Sequence, residues 1–282
     1  MDDAKGLVAV TSLEPRIRRK LREARVVRQL RALYWRARFE ILRRLSPSWR
    51  RAAPDGLPVP PQELRHLVSG NPNYAVADFL EMGALCARQI HESLRKHGAE
   101  MRNFEAVLDF GCGCGRTIRH FAHLRKTRLH GSDYNPALIG WCRTNLAFAS
   151  FGLNQLLPPL VHADRTFNLI YAFSVFTHLP EDVQQLWMRE FTRLLKPGGF
   201  LVLSTMPERD LPVGDEEARQ RFRSGQLVVL NPDVAGSNSC LVFHPQAYVN
   251  ETLARGYEIL EFIPDGLGQD FWLLRKRPEA AS

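Results

Sequence analysis

Residues 106–121 read AVLDFGCGCGRTIRHF, and the fold turns on how this stretch is read. A short apolar run ends at Asp109-Phe110, three glycines follow at alternate positions (Gly111, Gly113, Gly115), and the residues after them predict a helix over 116–126. Glycines at such a turn let the backbone come close to a ligand in conformations closed to other residues. A helix beginning there leaves unpaired amides that favour an anionic group. The next predicted strand ends at Asp133, 24 residues after Asp109, near the spacing at which a carboxylate grips a ribose diol. The acid at 109, two residues before the first glycine, is unlike a dinucleotide loop, where an apolar residue usually stands. A carboxylate there suits a ligand that carries an ammonium group.

Outward from this loop the texture repeats. TRLHGSD (127–133), FNLIYAF (167–173) and FLVLST (200–205) predict buried strands, and 136–149 and 181–196 predict helices between them. Strands alternating with helices imply a parallel sheet covered on both faces. Upstream, 61–69 and about 74–97 predict two helices separated by the turn residues SGNPN (69–73).

On four stretches the chain resembles the class I S-adenosylmethionine-dependent methyltransferases: VLDFGCGCG (107–115), LHGSDYNP (129–136), ADRTFNLIYAFSVFTHL (163–179) and LLKPGGFLVLS (194–204). The order and spacing of the four make the resemblance far more specific than any one of them. It implies a doubly wound, mostly parallel seven-stranded Rossmann-like α/β sheet, completed by YEILEFIP (257–264) and DFWLLRK (270–276). S-adenosylmethionine is the implied cofactor. Carried over by position, Asp109 and the Gly111, Gly113 and Gly115 backbone would hold its methionine end and Asp133 its ribose hydroxyls. Tyr134 would pack on the adenine, Asn154 would bond its edge, and Ser174 would face the cofactor. Asn168 departs from the family, which usually has Asp there.

Methyl transfer to a hydroxyl needs a base, and His178 in SVFTHL is the candidate, for which a helix-start histidine bonded to backbone is the structural alternative; His244 in LVFHPQAY is second. Gln269-Asp270, at the final strand, reads as a loop pairing. Cys112 and Cys114 lack a second pair at zinc spacing, so no metal is expected. Neither a G-x-S-x-G elbow nor a phosphate-binding P-loop is present.

The chain has 282 residues and a formal charge of +8, but the charge is concentrated. Residues 14–51 hold fourteen Arg/Lys against three Glu, whereas 52–282 carry 23 basic and 25 acidic residues. The expected organisation is a basic amphipathic helix and Pro-rich linker over 1–60, a helical cap over 61–101, and a methyltransferase domain over 102–282 with an insertion at about 206–246. The linker composition predicts that residues 1–55 can be removed without disturbing the fold. Five cysteines and the absence of a basic, apolar leader point to the cytoplasm. The basic segment 15–51 leaves open an anionic membrane surface or a protein partner.

The expected function is methyl transfer to a small-molecule or glycan-like acceptor at O or N. A nucleic-acid methyltransferase using the basic arm is disfavoured, because AFSVF (172–176) stands where exocyclic-amine enzymes usually carry Asp/Asn-Pro-Pro-aromatic. A non-catalytic cofactor-binding module is the remaining alternative.

Overall fold

The structure, a computed structural model, describes residues 53–278. The basic segment 15–51, and the helix expected in it, lie outside the described residues. Seven strands form one sheet: β1 (Ala106–Phe110), β2 (Arg128–Asp133), β3 (Ser150–Leu153), β4 (Phe167–Ala172), β5 (Leu195–Thr205), β8 (Tyr257–Ile263) and β9 (Asp270–Lys276). Their order is β3-β2-β1-β4-β5-β9-β8, with β1 to β5 parallel and β9 antiparallel to both of its neighbours. β6 (Val228–Leu230) and β7 (Leu241–Phe243) make a separate ribbon. β1 is buried along its whole length, as expected of a strand covered on both faces. The chain leaves β1 toward β2 on one side and reaches β4 on the other. A crevice therefore opens beyond the carboxyl ends of β1 and β4, where doubly wound sheets bind ligands.

Helices α1 (Gln62–Ser69), α2 (Val76–Lys96), α3 (Pro136–Asn145), α4 (Glu181–Leu194) and α5 (Glu216–Arg223) surround this frame. α4 buries Val183, Trp187, Phe191 and Leu194, the three- and four-residue steps of one helix face. Trp187 and Phe191 meet Phe110 of β1 with ring centroids 4.3 and 5.0 Å apart. Asn168 is structural: its Oδ1 accepts from the amides of Glu105 and Ala106 at 2.9 and 3.2 Å, tying β4 to the start of β1. An amide oxygen does this as well as a carboxylate, which accounts for the departure from Asp.

Two helical expectations are corrected. In place of a helix over 116–126 there is one 3-10 turn, Ile118–Phe121. α2 crosses so closely that a Cβ on Gly83 would lie 2.0 Å from the Arg116 carbonyl oxygen, so tertiary packing overrides local propensity here. The helix expected over 136–149 stops at Asn145, because Leu146 turns out of helical geometry into the core, against Gly115.

The linker is corrected too. Residues 53–59 pack on the domain, with Ala53 and Val59 buried. Arg119, whose side chain is 0% exposed, donates to both carboxylate oxygens of Asp55 at 2.7 and 3.0 Å and to the carbonyls of Pro58 and Leu57. Cutting at residue 55 would remove the counter-charge of a buried guanidinium. Asp55→Ala should cost about 2–3 kcal/mol, below the ~3–5 kcal/mol of a fully buried broken pair because two carbonyl bonds remain. Chemical denaturation of the full chain measures it. An unchanged midpoint would mean that the linker is dispensable.

Candidate functional site

A cavity of about 510 Å³ lies beyond the carboxyl ends of β1 and β4. Its lining includes Asp109, Gly111, Gly113, Asp133, Tyr134, Asn154, Ser174 and His178, so eight of the nine site residues expected from the sequence are brought together. Gly115 is the exception. It sits behind the loop with φ +78°, and a side chain there would meet Leu146 at 2.4 Å.

The glycine loop is pinned by its own chain. The amides of Gly111 and Cys112 donate to the Ser132 carbonyl at 2.7 and 3.0 Å, that of Gly113 to Asp133 Oδ2 at 2.9 Å, and that of Gly115 to the Cys112 carbonyl at 2.9 Å. The expectation of an amide cradle for an anion is thereby corrected, because four loop donors are already used and no regular helix begins here. What the loop offers is close backbone approach. Gly111 and Gly113 have φ +73° and +58°, and side chains on them would collide with Val175 and Val68 at 2.3 and 2.7 Å.

Asp109 is the electrostatic centre of the cavity. It is 4% exposed, and its Oδ2 is buried without a hydrogen-bond partner. Burial pushes its pKa up to about 8, against the smaller opposing influences of the neighbouring Tyr171 hydroxyl and the Arg116 charge. Asp133, at the end of β2, accepts from Gly113 and, through Oδ1, from the Asn135 amide at 2.8 Å. Burial raises its pKa to about 6, while the backbone amides that bond it pull the other way. Three backbone amides, of Gly113, Tyr134 and Asn135, act on it, which leaves part of its roughly four lone-pair sites open.

The other predicted residues differ in how much of their polar capacity is in use. The Tyr134 hydroxyl donates to the Gly236 carbonyl. Asn154 Oδ1 accepts from Ser132 at 2.7 Å and its Nδ2 donates to the Gln155 carbonyl at 2.7 Å, so its amide is already engaged within the protein. Ser174 is a non-glycine residue at φ 54°, a conformation that costs about 1–3 kcal/mol when held. Its amide donates to Ser204 Oγ and its hydroxyl to Gln269 Oε1, at 2.7 and 3.0 Å. Gln269 thus braces the turn after β4, while Asp270 Oδ1 accepts from the Asp265 amide, the loop pairing expected.

His178 lines the cavity with Nδ1 2.7 Å from the Cys240 carbonyl. That contact makes Nδ1 the protonated nitrogen and leaves Nε2 as the acceptor. Burial lowers its pKa from the ordinary value, so the ring is neutral at pH 7. His244 is corrected: it lies 1% exposed in the core against Gln184, outside the cavity lining, with a pKa lowered by burial to about 3.

Two parts of the cavity carried no individual residue assignment in the sequence. Arg116, directly after the glycines, lines it. The roof comes from the end of α1 (His66, Leu67, Val68) and from residues 236–239 of the segment between β6 and β7. Asn238 Nδ2 donates to the Leu67 carbonyl at 3.2 Å, joining the two halves. These residues contact one another across 171 positions, and no local pattern signals such a pairing.

Among the described residues no cluster of His, Cys, Asp and Glu could hold a metal ion, and no helix is long and apolar enough to cross a membrane. All five cysteines are buried and unpaired.

A family model described as "Methyltransferase domain" matches residues 107–199. Over 139 residues the chain is 27% identical to the chloroplastic tocopherol O-methyltransferase of Arabidopsis thaliana, covering 46% of this chain and 39% of that protein. Over 161 residues it is 24% identical to the tRNA N(3)-cytidine methyltransferase METTL2 of Gallus gallus, covering 53% and 41%. The chain thus spans well under two thirds of the length of these relatives. In fold it is similar to the solved DesVI of Streptomyces venezuelae (TM-score 0.51, 16% identity, 71% of this chain and 93% of that one). It is similar also to a SAM-dependent methyltransferase of Methanosarcina mazei (TM-score 0.50, 19% identity, 66% and 98%). Residues 107–199 thus resemble a methyltransferase domain, and the described residues share the Rossmann-like fold of these solved structures.

Proposed function

We propose that the chain is an S-adenosylmethionine-dependent methyltransferase acting on a small-molecule or glycan-like acceptor at oxygen or nitrogen. One observation carries the cofactor assignment: a buried carboxylate with an unpartnered oxygen, Asp109, stands beside a glycine loop whose amides are already bonded. Such a site accepts an ammonium group, whose charge draws the proton off the Asp109 carboxyl. Arg116, lining the same cavity, supplies the positive charge that an amino-acid carboxylate needs. Asp133, at the end of β2, keeps acceptor capacity for a ribose hydroxyl. When bound, the cofactor supplies a methyl group on a sulfonium, which is already a good leaving group. The protein's own part is alignment, which contributes up to roughly 7–11 kcal/mol in well-oriented reactions, and removal of the acceptor proton.

A small acceptor suits the enclosure. A cavity of about 510 Å³, partly covered where Asn238 bonds the Leu67 carbonyl, has to hold donor and acceptor together. Incubating the full chain with methyl-labelled donor and fractionated cell extract tests this reading. Label is expected in the low-molecular-weight or glycan fraction. Label confined to nucleic acid would favour the alternative represented by the tRNA-modifying relative, and no labelling alongside tight donor binding would favour a non-catalytic module.

The ribose role of Asp133 has its own test. Asp133→Asn should lose roughly 1.5–3 kcal/mol of donor affinity, or about ten- to a hundredfold, in calorimetry with S-adenosylhomocysteine. A folded variant with unchanged affinity would leave Asp133 only its clasp on the glycine loop.

A further inference from the structure

A second groove, of about 870 Å³, lies between the last turns of α2 and the two segments that lead into β1 and β2. Those segments, 100–102 and 120–127, precede Ala106 and Arg128, the first residues of two parallel strands. The groove is therefore at the amino ends of the strands, whereas the donor cavity is at their carboxyl ends. A strand of five or six residues separates the two edges by roughly 17–20 Å, so this groove is no extension of the first site.

Its charge is predominantly positive. Arg88, Arg95, Arg102, Arg125 and Lys126 line it, and the only acid in the lining, Glu100, is paired with Arg102. Arg88, Arg95, Arg125 and Lys126 are exposed and have no ion-pair partner among the described residues. Arg88 and Arg95 are seven residues apart on α2, two turns and roughly 10 Å along one face. Two exposed histidines, His91 and His123, add donors. The floor is apolar, made of Ala87, Met101 and Phe121. Neighbouring cations repel, and a cleft lined by one sign concentrates counter-ions.

We propose that this groove is a second binding site, for a ligand carrying two or more phosphate groups. Arginine forks match phosphate oxygens two at a time, and cations on three chain segments around a concavity can surround a diphosphate as no flat lysine patch can. The volume lies within the range of small-ligand pockets, roughly 300–1,000 Å³. The groups can come from a soluble phosphorylated compound or from a phospholipid headgroup entering the groove. The large exposed apolar residues (Val76, Leu153, Val161, Val213, Val234, Ile259) all lie outside its lining, so nothing at the rim is built to insert into a bilayer.

The probe is inorganic pyrophosphate, titrated calorimetrically into the full chain at constant ionic strength, beside the double variant Arg95→Glu/Lys126→Glu. Both positions are exposed, so the variant should keep wild-type melting and wild-type affinity for S-adenosylhomocysteine. The expected result is saturable pyrophosphate binding by the wild type, weakened at least tenfold in the variant. A second arm uses vesicles containing phosphatidylinositol 4,5-bisphosphate, whose headgroup carries two phosphate monoesters. Vesicle binding that pyrophosphate displaces and the variant lacks identifies the headgroup as the source, and its absence identifies a soluble ligand. The proposal is overturned if the wild type does not bind pyrophosphate, or if both proteins bind it equally, which would move the site to another basic segment such as 15–51. It is overturned also if the groove variant loses binding to a 20-nucleotide RNA that pyrophosphate fails to displace, since the groove would then be a nucleic-acid surface.

Discussion

Asp109→Asn is expected to weaken donor binding between about 2 and 5 kcal/mol, the range for removing one partner of a buried charge pair, or roughly thirtyfold to several-thousandfold in Kd. The same change should make the donor-free protein more stable at pH 8.5. Both effects come from one buried carboxyl whose pKa is pushed up to about 8. Without a ligand the folded state prefers the protonated acid, so its contribution to stability is full below the unfolded pKa of 3.8 and is lost as pH rises through about 8. Asparagine has no proton to lose and should remove that limb. An ammonium group beside Asp109 reverses the preference, so donor binding near neutral pH should release a proton. Calorimetry in two buffers of different ionisation enthalpy reads that proton directly, and melting curves from pH 5 to 9 read the stability limb. Proton-neutral binding with an unchanged pH profile in the variant would end the assignment of Asp109 to the ammonium group.

The same residue marks how far the sequence can be read. Asp109, Gly111, Gly113 and Asp133 were legible because a strand end, a tight turn and the next strand end are local patterns at fixed spacing. The parallel order of β1, β2, β4 and β5 followed from alternation of element types, and the two late strands from the family resemblance. What was not legible depends on contacts between distant positions. The segment after the glycines looks helical on its own, but α2 lies against it at Gly83, and Arg119 turns to Asp55. The linker looks detachable by its prolines, yet one aspartate in it neutralises a fully buried arginine 64 positions away. His244 resembles His178 as a lone histidine after a strand. Only packing separates them, placing one in the core and the other on the cavity wall. The phosphate groove likewise draws on three segments that no sequence window spans.

His178→Ala should lower turnover on a hydroxyl acceptor by ~10²–10⁴-fold while leaving donor affinity nearly unchanged. Nδ1–H donates to the Cys240 carbonyl at 2.7 Å, which leaves Nε2 with the free lone pair on a ring that lines the cavity. Burial holds the ring neutral at pH 7, so the base is in its working form, and the wild-type rate should fall only as pH drops below the ordinary histidine range. That acid limb should vanish in the variant. A purely structural histidine makes a different set of predictions. Its loss would leave the Cys240 carbonyl unpaired, lowering the melting point for a cost of about 1–3 kcal/mol, with the pH profile of the surviving activity unchanged. The backbone carbonyl of His178, which accepts from the Gly236 amide at 2.7 Å and holds the roof, survives any substitution at this position. A slow Ala variant therefore cannot be attributed to loss of that anchor. For an amine acceptor that is already neutral in the cavity no base is required, and near-normal turnover with the acid limb intact would assign His178 to the Cys240 contact alone.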